Sequence, residues 1–181
     1  MKRVTALVAL LCVLALLCAC GVKEPAETTA PSAPETAEEK ISVTIPINYV
    51  ADKDTFIAEL DEFGGITCEE IEDAYLLTAT ASTYEAFMTQ KRERACADFD
   101  ETVKTLPCVT DYEINETLRM VTVTVTPGEY TVDESRPVLA DAAVNLLVYQ
   151  LYTGENLFVT VKIFDTEGEV VDSFQLPTSP A

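Results

Sequence analysis

From Ile41 to Tyr49 apolar and polar residues alternate, which is the period of a half-buried strand. Pro46 places that strand at a sheet edge, since proline has no N–H for the ladder. Asp52 to Phe63 then changes to helical spacing, with Phe56, Ile57, Leu60 and Phe63 on one face. Asp52 or Asp54 fits the N-cap, and Gly64-Gly65 supplies the stop. Ile66 to Ile71 and Tyr75 to Ala81 read as two strands around the acidic turn Glu72-Asp73.

Ser82-Thr83-Tyr84-Glu85 has the form of a capping box and predicts a second helix from about Thr83 to Thr105, with Tyr84, Met88, Ala95, Phe99 and Leu106 facing inward. Leu106-Pro107 ends it. Thr110 to Glu116 and Leu118 to Thr126 form the next predicted hairpin, with Val121, Val123 and Val125 on one face. A third helix is expected from Ser135 to Tyr152, with Pro137 tolerated because it falls in the first turn. This helix has hardly any polar face, so it is either the central helix of the core or partly covered by a partner. Leu139, Ala143 and Leu146 share the face assigned to the core, and Val148 and Tyr152 are expected to be partly exposed. Leu157, Val159, Val161 and Ile163 alternate again, Asp165 to Gly168 turns, and Val170 to Leu176 returns as the last strand.

The elements thus run strand, then helix-strand-strand three times, or β(αββ)x3. Strand pairs joined by tight turns favour antiparallel pairing, and helices returning between them favour one face of a sheet. The expected fold class is α+β: a two-layer sandwich, mainly antiparallel, with three helices on one face. The threefold pattern is one of element order alone, without a residue-level repeat.

The first forty residues change the picture. Met1-Lys2-Arg3 is followed by an apolar run from Val4 to Ala19, short for a span of about 20 residues but suited to a secretory leader. Leu17-Cys18-Ala19-Cys20-Gly21 puts a Leu three places before Cys20 and a small residue just before it, as lipoprotein signal boxes do. Cys12 and Cys18 fail the same test because Leu11 and Leu17 precede them. Residues 1–19 are read as the lipoprotein signal peptide and Cys20 as the lipidated residue. The expected location is the outer face of the cytoplasmic membrane, anchored through the lipid. Residues 20–40 are rich in Pro, Ala, Thr and Glu, with too little apolar surface to bury, and form the expected disordered tether. Residues 41–177 remain for a single α+β domain, with 178–181 as a tail; that length supports one core.

Charge narrows the partners. The chain has 31 acidic and 12 basic residues, a net charge of −19, and removing Lys2 and Arg3 with the leader takes it to −21. Such a surface repels phosphates, which argues against nucleic acid. Anionic lipid is disfavoured too, so the acyl chain has to hold the protein at the membrane. A protein or envelope component remains the expected partner class.

Candidate chemistry is sparse. The sequence has no His, which removes the common general base and the Ser-His and Cys-His nucleophile pairs. No catalytic, cofactor-binding or metal residues are assigned, and no cofactor is expected. Of six cysteines, Cys68, Cys96 and Cys108 lie in the domain. Either they are buried thiols, or Cys96 and Cys108 bridge the second helix to the next strand. Without His or a CxxC pair a structural zinc site has little to build on. Glu69-Glu70 with Glu72-Asp73 is the densest carboxylate group and reads as a solvated turn. Asp165, Glu167 and Glu169 around Gly168 faintly resemble a calcium loop but lack its later bidentate Glu. Asn115-Glu116-Thr117 matches a glycosylation sequon, a coincidence behind a bacterial leader. Lys91, Arg92, Glu93 and Arg94 form the domain's basic cluster, read as solvated because helical spacing divides it between faces.

The blocks ISVTIPINYV, TDYEINETLRMVTVTV and LFVTVKIFDTEGEVVDSFQLP resemble the corresponding blocks of uncharacterised lipoproteins from Gram-positive anaerobic bacteria, over most of Ile41 to Pro177. The resemblance implies an export route and a compact domain, and no activity. Members of that family often carry a His at the start of the second helix, where this chain has Glu85 or a neighbour, so no His-based site carries over. Three functions stand at this stage: a non-enzymatic binding or envelope-associated module, a carboxylate-dependent hydrolase acting on envelope material, and a cation-dependent structural lipoprotein using the Asp165 turn.

Overall fold

A computed structural model describes residues 38–177 of the chain; the leader, Cys20, most of the tether and the 178–181 tail lie outside the described residues. Among the described residues the fold is α+β, with three helices and seven strands in two sheets. Strand β1 (Lys40–Pro46) pairs antiparallel with β3 (Ala74–Thr80), and β3 pairs with β2 (Thr67–Ile71), giving the order β1-β3-β2. The second sheet has the order β4-β5-β6-β7, from β4 (Val109–Ile114), β5 (Met120–Val125), β6 (Val159–Asp165) and β7 (Val170–Leu176). Helix α1 (Lys53–Phe63) follows a short 3-10 turn at Ile47–Tyr49, α2 (Ala81–Val103) joins the sheets, and α3 (Ser135–Leu151) connects β5 to β6.

Two sheets in place of one correct the expectation from the alternation pattern. The reason is the length of α2. Its 23 residues rise about 35 Å, whereas a seven-residue strand spans about 23 Å. The chain leaving α2 therefore passes beyond the first sheet and starts a new one. The β5–β6 pairing is parallel, while the other four pairings are antiparallel. Counting hairpins misses this pair, because β5-α3-β6 is a crossover unit: a helix that reverses the chain between two strands brings them together parallel. Pro46 stands on the edge strand β1, as its missing N–H requires.

The helix ends follow local chemistry. Asp52 caps α1, its Oδ1 accepting from the backbone N–H of Asp54 (2.9 Å) and Thr55 (3.1 Å). Gly64, at φ 80°, ends α1 in a conformation that a side chain would oppose. The capping box at Ser82 is a misplacement. Strand β3 runs into α2 without a loop, and its last residue, Thr80, caps the helix by accepting from the Thr83 N–H. Ser82 lies inside the first turn. Before the first strand, Glu39 accepts at its carbonyl from the Ala81 N–H and the Glu38 carboxylate accepts from the Ser82 hydroxyl. Ordered contacts thus begin a little before Ile41.

Buried residues fall into two clusters. In the first, Val121, Val123 and Val125 of β5 and Val159, Val161 and Ile163 of β6 meet Ala95, Phe99 and Val103 of α2 and Leu139, Ala142, Ala143 and Leu146 of α3. In the second, Ile45, Tyr75, Leu77 and Ala79 of the first sheet meet Phe56 and Leu60 of α1, Tyr84 and Phe87 of α2, and Tyr152 just past α3. The first half of α2 and the end of α3 thus share one core, and the second half of α2 and the body of α3 share the other. The two helices run antiparallel and belong to both cores. Gln150, fully buried on α3, fixes this helix to the segments that lead into β5 and β6. Its Nε2 donates to the Leu118 carbonyl (2.9 Å), and its Oε1 accepts from the Phe158 N–H (3.1 Å).

Candidate functional site: a three-helix groove

The buried stripe of α2 is Tyr84, Phe87, Lys91, Ala95, Phe99 and Val103, a run of three- and four-residue steps. Lys91 stands in line with the apolar residues and is only 9% exposed, which overturns its reading as part of a solvated cluster. Met88 is partly buried and Phe87 takes the inner position expected for it. The Lys91 ammonium lies 5.2 Å from the Phe87 ring centre and 5.0 Å from that of Tyr152, within cation–π range. It meets Glu59 Oε1 of α1 at 2.5 Å, and Arg94 Nη1 reaches the same oxygen at 3.2 Å. Arg94 Nε also lies 3.9 Å from Asp98.

This ion pair sits on an aromatic lobe. Phe56 approaches Tyr75 (5.4 Å between ring centres) and Tyr152 (6.5 Å), and Phe87 packs edge-on against Phe63 (5.2 Å) and Tyr152 (5.1 Å). Tyr152 is 4% exposed, so its expected partial exposure is corrected. It lies one residue beyond α3, where the chain turns back against the first sheet. The Tyr84 hydroxyl donates to the Tyr152 carbonyl. Burial pushes the Tyr84 phenol up to about 12 and raises that of Tyr152 as well.

Three cavities converge on Glu59. One of about 660 Å³ lies between α1 and α2 and is lined by Glu59, Glu62, Phe63, Gln90, Lys91 and Arg94 among others. A second, of about 250 Å³, is lined mainly by apolar groups, including Tyr49, Val50, Phe56, Val148 and Leu151. A third, of about 230 Å³, is bounded by Arg94, Asp98, Asn145, Val148 and Tyr149. The last two share Glu59 and Val148, so they form one groove along α3. Val144 and Val148, one helical turn apart, are both exposed, as is Tyr49. The lining is partly polar and partly apolar, and Glu59 already accepts from two cations.

The residues singled out from the sequence lie elsewhere. Cys20 is outside the described residues. Cys68, Cys96 and Cys108 are free thiols, which decides against a Cys96–Cys108 bridge. Cys108 is buried with its sulfur 3.6 Å from the Ser135 hydroxyl, and burial pushes the Cys68 and Cys96 thiols up, away from the reactive thiolate. Glu69 and Glu70 are neighbours on β2 and so point to opposite sheet faces; Glu70 pairs with Lys53. Asp165 Oδ1 accepts from the N–H groups of Glu167 and Glu169, both at 2.9 Å, closing its own turn. Asn115 is likewise engaged locally, its Oδ1 accepting from Arg119 N–H (2.8 Å) and Met120 N–H (3.0 Å). Among the described residues no group of three His, Cys, Asp or Glu side chains is placed to hold a metal. Likewise no described helix is long and apolar enough to cross a membrane.

The fold and the groove define an acidic α+β domain with a mixed polar and apolar groove where three helices meet. No protein-family model, curated protein or solved structure matches the chain.

Proposed function

We propose that the chain is a lipid-anchored extracytoplasmic binding module, tethered through Cys20 to the outer face of the cytoplasmic membrane. In this reading the three-helix groove takes up a protein or envelope component. The two sheets form one layer and the helices the other. The observation that carries the binding role is the groove around Glu59 and Lys91, where a buried cation, a shared carboxylate and exposed valines meet. The anchor rests on the leader and the Leu17-Cys18-Ala19-Cys20 box. An acyl chain alone holds a protein only marginally at a bilayer. An acidic domain adds no electrostatic attraction to anionic lipid, so the module would be held by its acyl chains alone.

The anchor is tested by Cys20→Ser in the full chain. The substitution removes the sulfur that forms the thioether, so labelling by radioactive palmitate disappears and the protein either accumulates as precursor or leaves the membrane pellet. Palmitate labelling equal to that of the parent rules out Cys20 as the anchor.

A further inference from the structure

The groove along α3 has a chemistry more specific than binding in general, and the identification of its occupant rests on the binding-module reading. Its wider part is mainly apolar, with Tyr49, Val148 and Leu151 in the lining, and the exposed Val144 lies one turn before Val148 on α3. Three carboxylates line it and a fourth lies nearby on α3. Asp52 and Glu59 line the wider cavity, Asp98 and Glu59 line the narrower one, and Asp141 is exposed on α3 one turn before Val144 and Asn145. Lys91 and Arg94 engage Glu59 and Asp98, which leaves Asp52 and Asp141 without a cation among the described residues. An apolar strip bordered by an excess of carboxylate, on a chain of net charge −19, is complementary to an amphipathic segment whose polar side is basic. We infer that the α3 groove docks a basic amphipathic peptide segment of a partner protein. The partner's apolar residues, spaced by three and four, would sit over Val144 and Val148, and its Lys or Arg side chains would meet Asp52 and Asp141. Charge attraction sets the rate of encounter, and the apolar contacts set the residence time.

Charge and groove make opposite predictions for one substitution, which gives the test. The full chain in neutral detergent is titrated with a fluorescently labelled Leu/Lys helical peptide of about 18 residues carrying leucines at i, i+3, i+4 and i+7. A peptide of the same composition in scrambled order serves for comparison. Val148→Glu makes the protein more acidic but places a charge on the apolar strip. Val148 is 44% exposed, so the fold tolerates the change, checked by an unchanged melting temperature. Val170→Glu adds the same charge on β7, where Val170 is 65% exposed. The expected result is saturable binding of the patterned peptide, weakened at least about tenfold by Val148→Glu and unaffected or slightly strengthened by Val170→Glu. Equal binding of the scrambled peptide, or tighter binding by both variants, reduces the interaction to unspecific charge and overturns the groove. Absence of any saturable binding overturns the basic-peptide assignment. Neither result bears on the anchor, which the palmitate labelling of Cys20→Ser decides separately.

Discussion

The two halves of the domain bury their apolar surface by different means. Around the second sheet the core is mainly aliphatic, built from alternating Val and Ile on the central strands β5 and β6 against Leu139, Ala142, Ala143 and Leu146, with Phe99, Tyr130 and Phe174 as its buried aromatic members. Around the first sheet it is aromatic, with Phe56, Tyr75, Tyr84, Phe87 and Tyr152 in contact, and it takes in the charged Lys91. The few polar groups buried in the aliphatic half are closed locally: Gln150 on Leu118 and Phe158, and Tyr130 on Asp172. The aromatic half has phenol groups and an ammonium, each of which has to be satisfied: Tyr84 by the Tyr152 carbonyl, Lys91 by Glu59. The groove opens on the half that keeps these polar groups. On the proposed reading binding falls mainly to the aromatic end of the helix pair, while both ends contribute to stability.

The largest effects come from the cores. Phe87→Ala should cost about 3–5 kcal/mol and Leu146→Ala about 2–5 kcal/mol, through lost transfer energy and the cavity left behind. Both side chains are fully buried, one in each half. Because α2 and α3 contribute to both cores, either substitution should lower a single cooperative transition, measured by denaturant unfolding with fluorescence and circular dichroism. Two separate transitions would divide the halves into independent units. A smaller effect belongs to pH. The Tyr84 phenol is raised from 10.0 to about 12 in the folded chain, so the folded state holds this proton more tightly than the unfolded one. Its contribution is complete below about pH 10 and is lost as pH rises toward 12, on the order of 2 kcal/mol in all. Tyr84→Phe should flatten that part of the alkaline stability profile, and an unchanged slope would exclude Tyr84 as its source.

Most elements were legible because their periods are clean. Val121, Val123 and Val125, Val159, Val161 and Ile163, and the Asp52 cap with the Gly64 stop all occupy the places that alternation and capping rules assign. Pairing between distant strands was not legible. Whether β5 meets β6 across α3, and whether β3 and β4 share a sheet, depends on helix length against strand length and leaves no mark in local pattern. The groove was missed for a different reason. A lysine within a basic run is read as solvated, and only the spacing of Tyr84, Phe87, Lys91, Ala95 and Phe99 marks it as an inward position. Glu59 has no local signal at all, since its role comes from α2 packing across α1. Tyr152 was misplaced by extending the helix one residue too far and assigning it a helical face.

The central claim is that the Glu59–Lys91 pair contributes little to folding, as expected if it is kept for the proposed groove. A buried ion pair loses in desolvation much of what it gains in attraction, and an apolar side chain of similar length often replaces it without loss. Lys91→Met keeps the unbranched stem between Phe87 and Tyr152 and removes the charge, while Glu59 retains Arg94 and its access to water. Denaturant unfolding of Lys91→Met beside the parent is the direct measurement. The account predicts a stability within about 1 kcal/mol of the parent, or higher. A loss of about 3–5 kcal/mol, the size seen when a buried charge is left without its partner, would make the pair a structural clamp and contradict the division between the two halves.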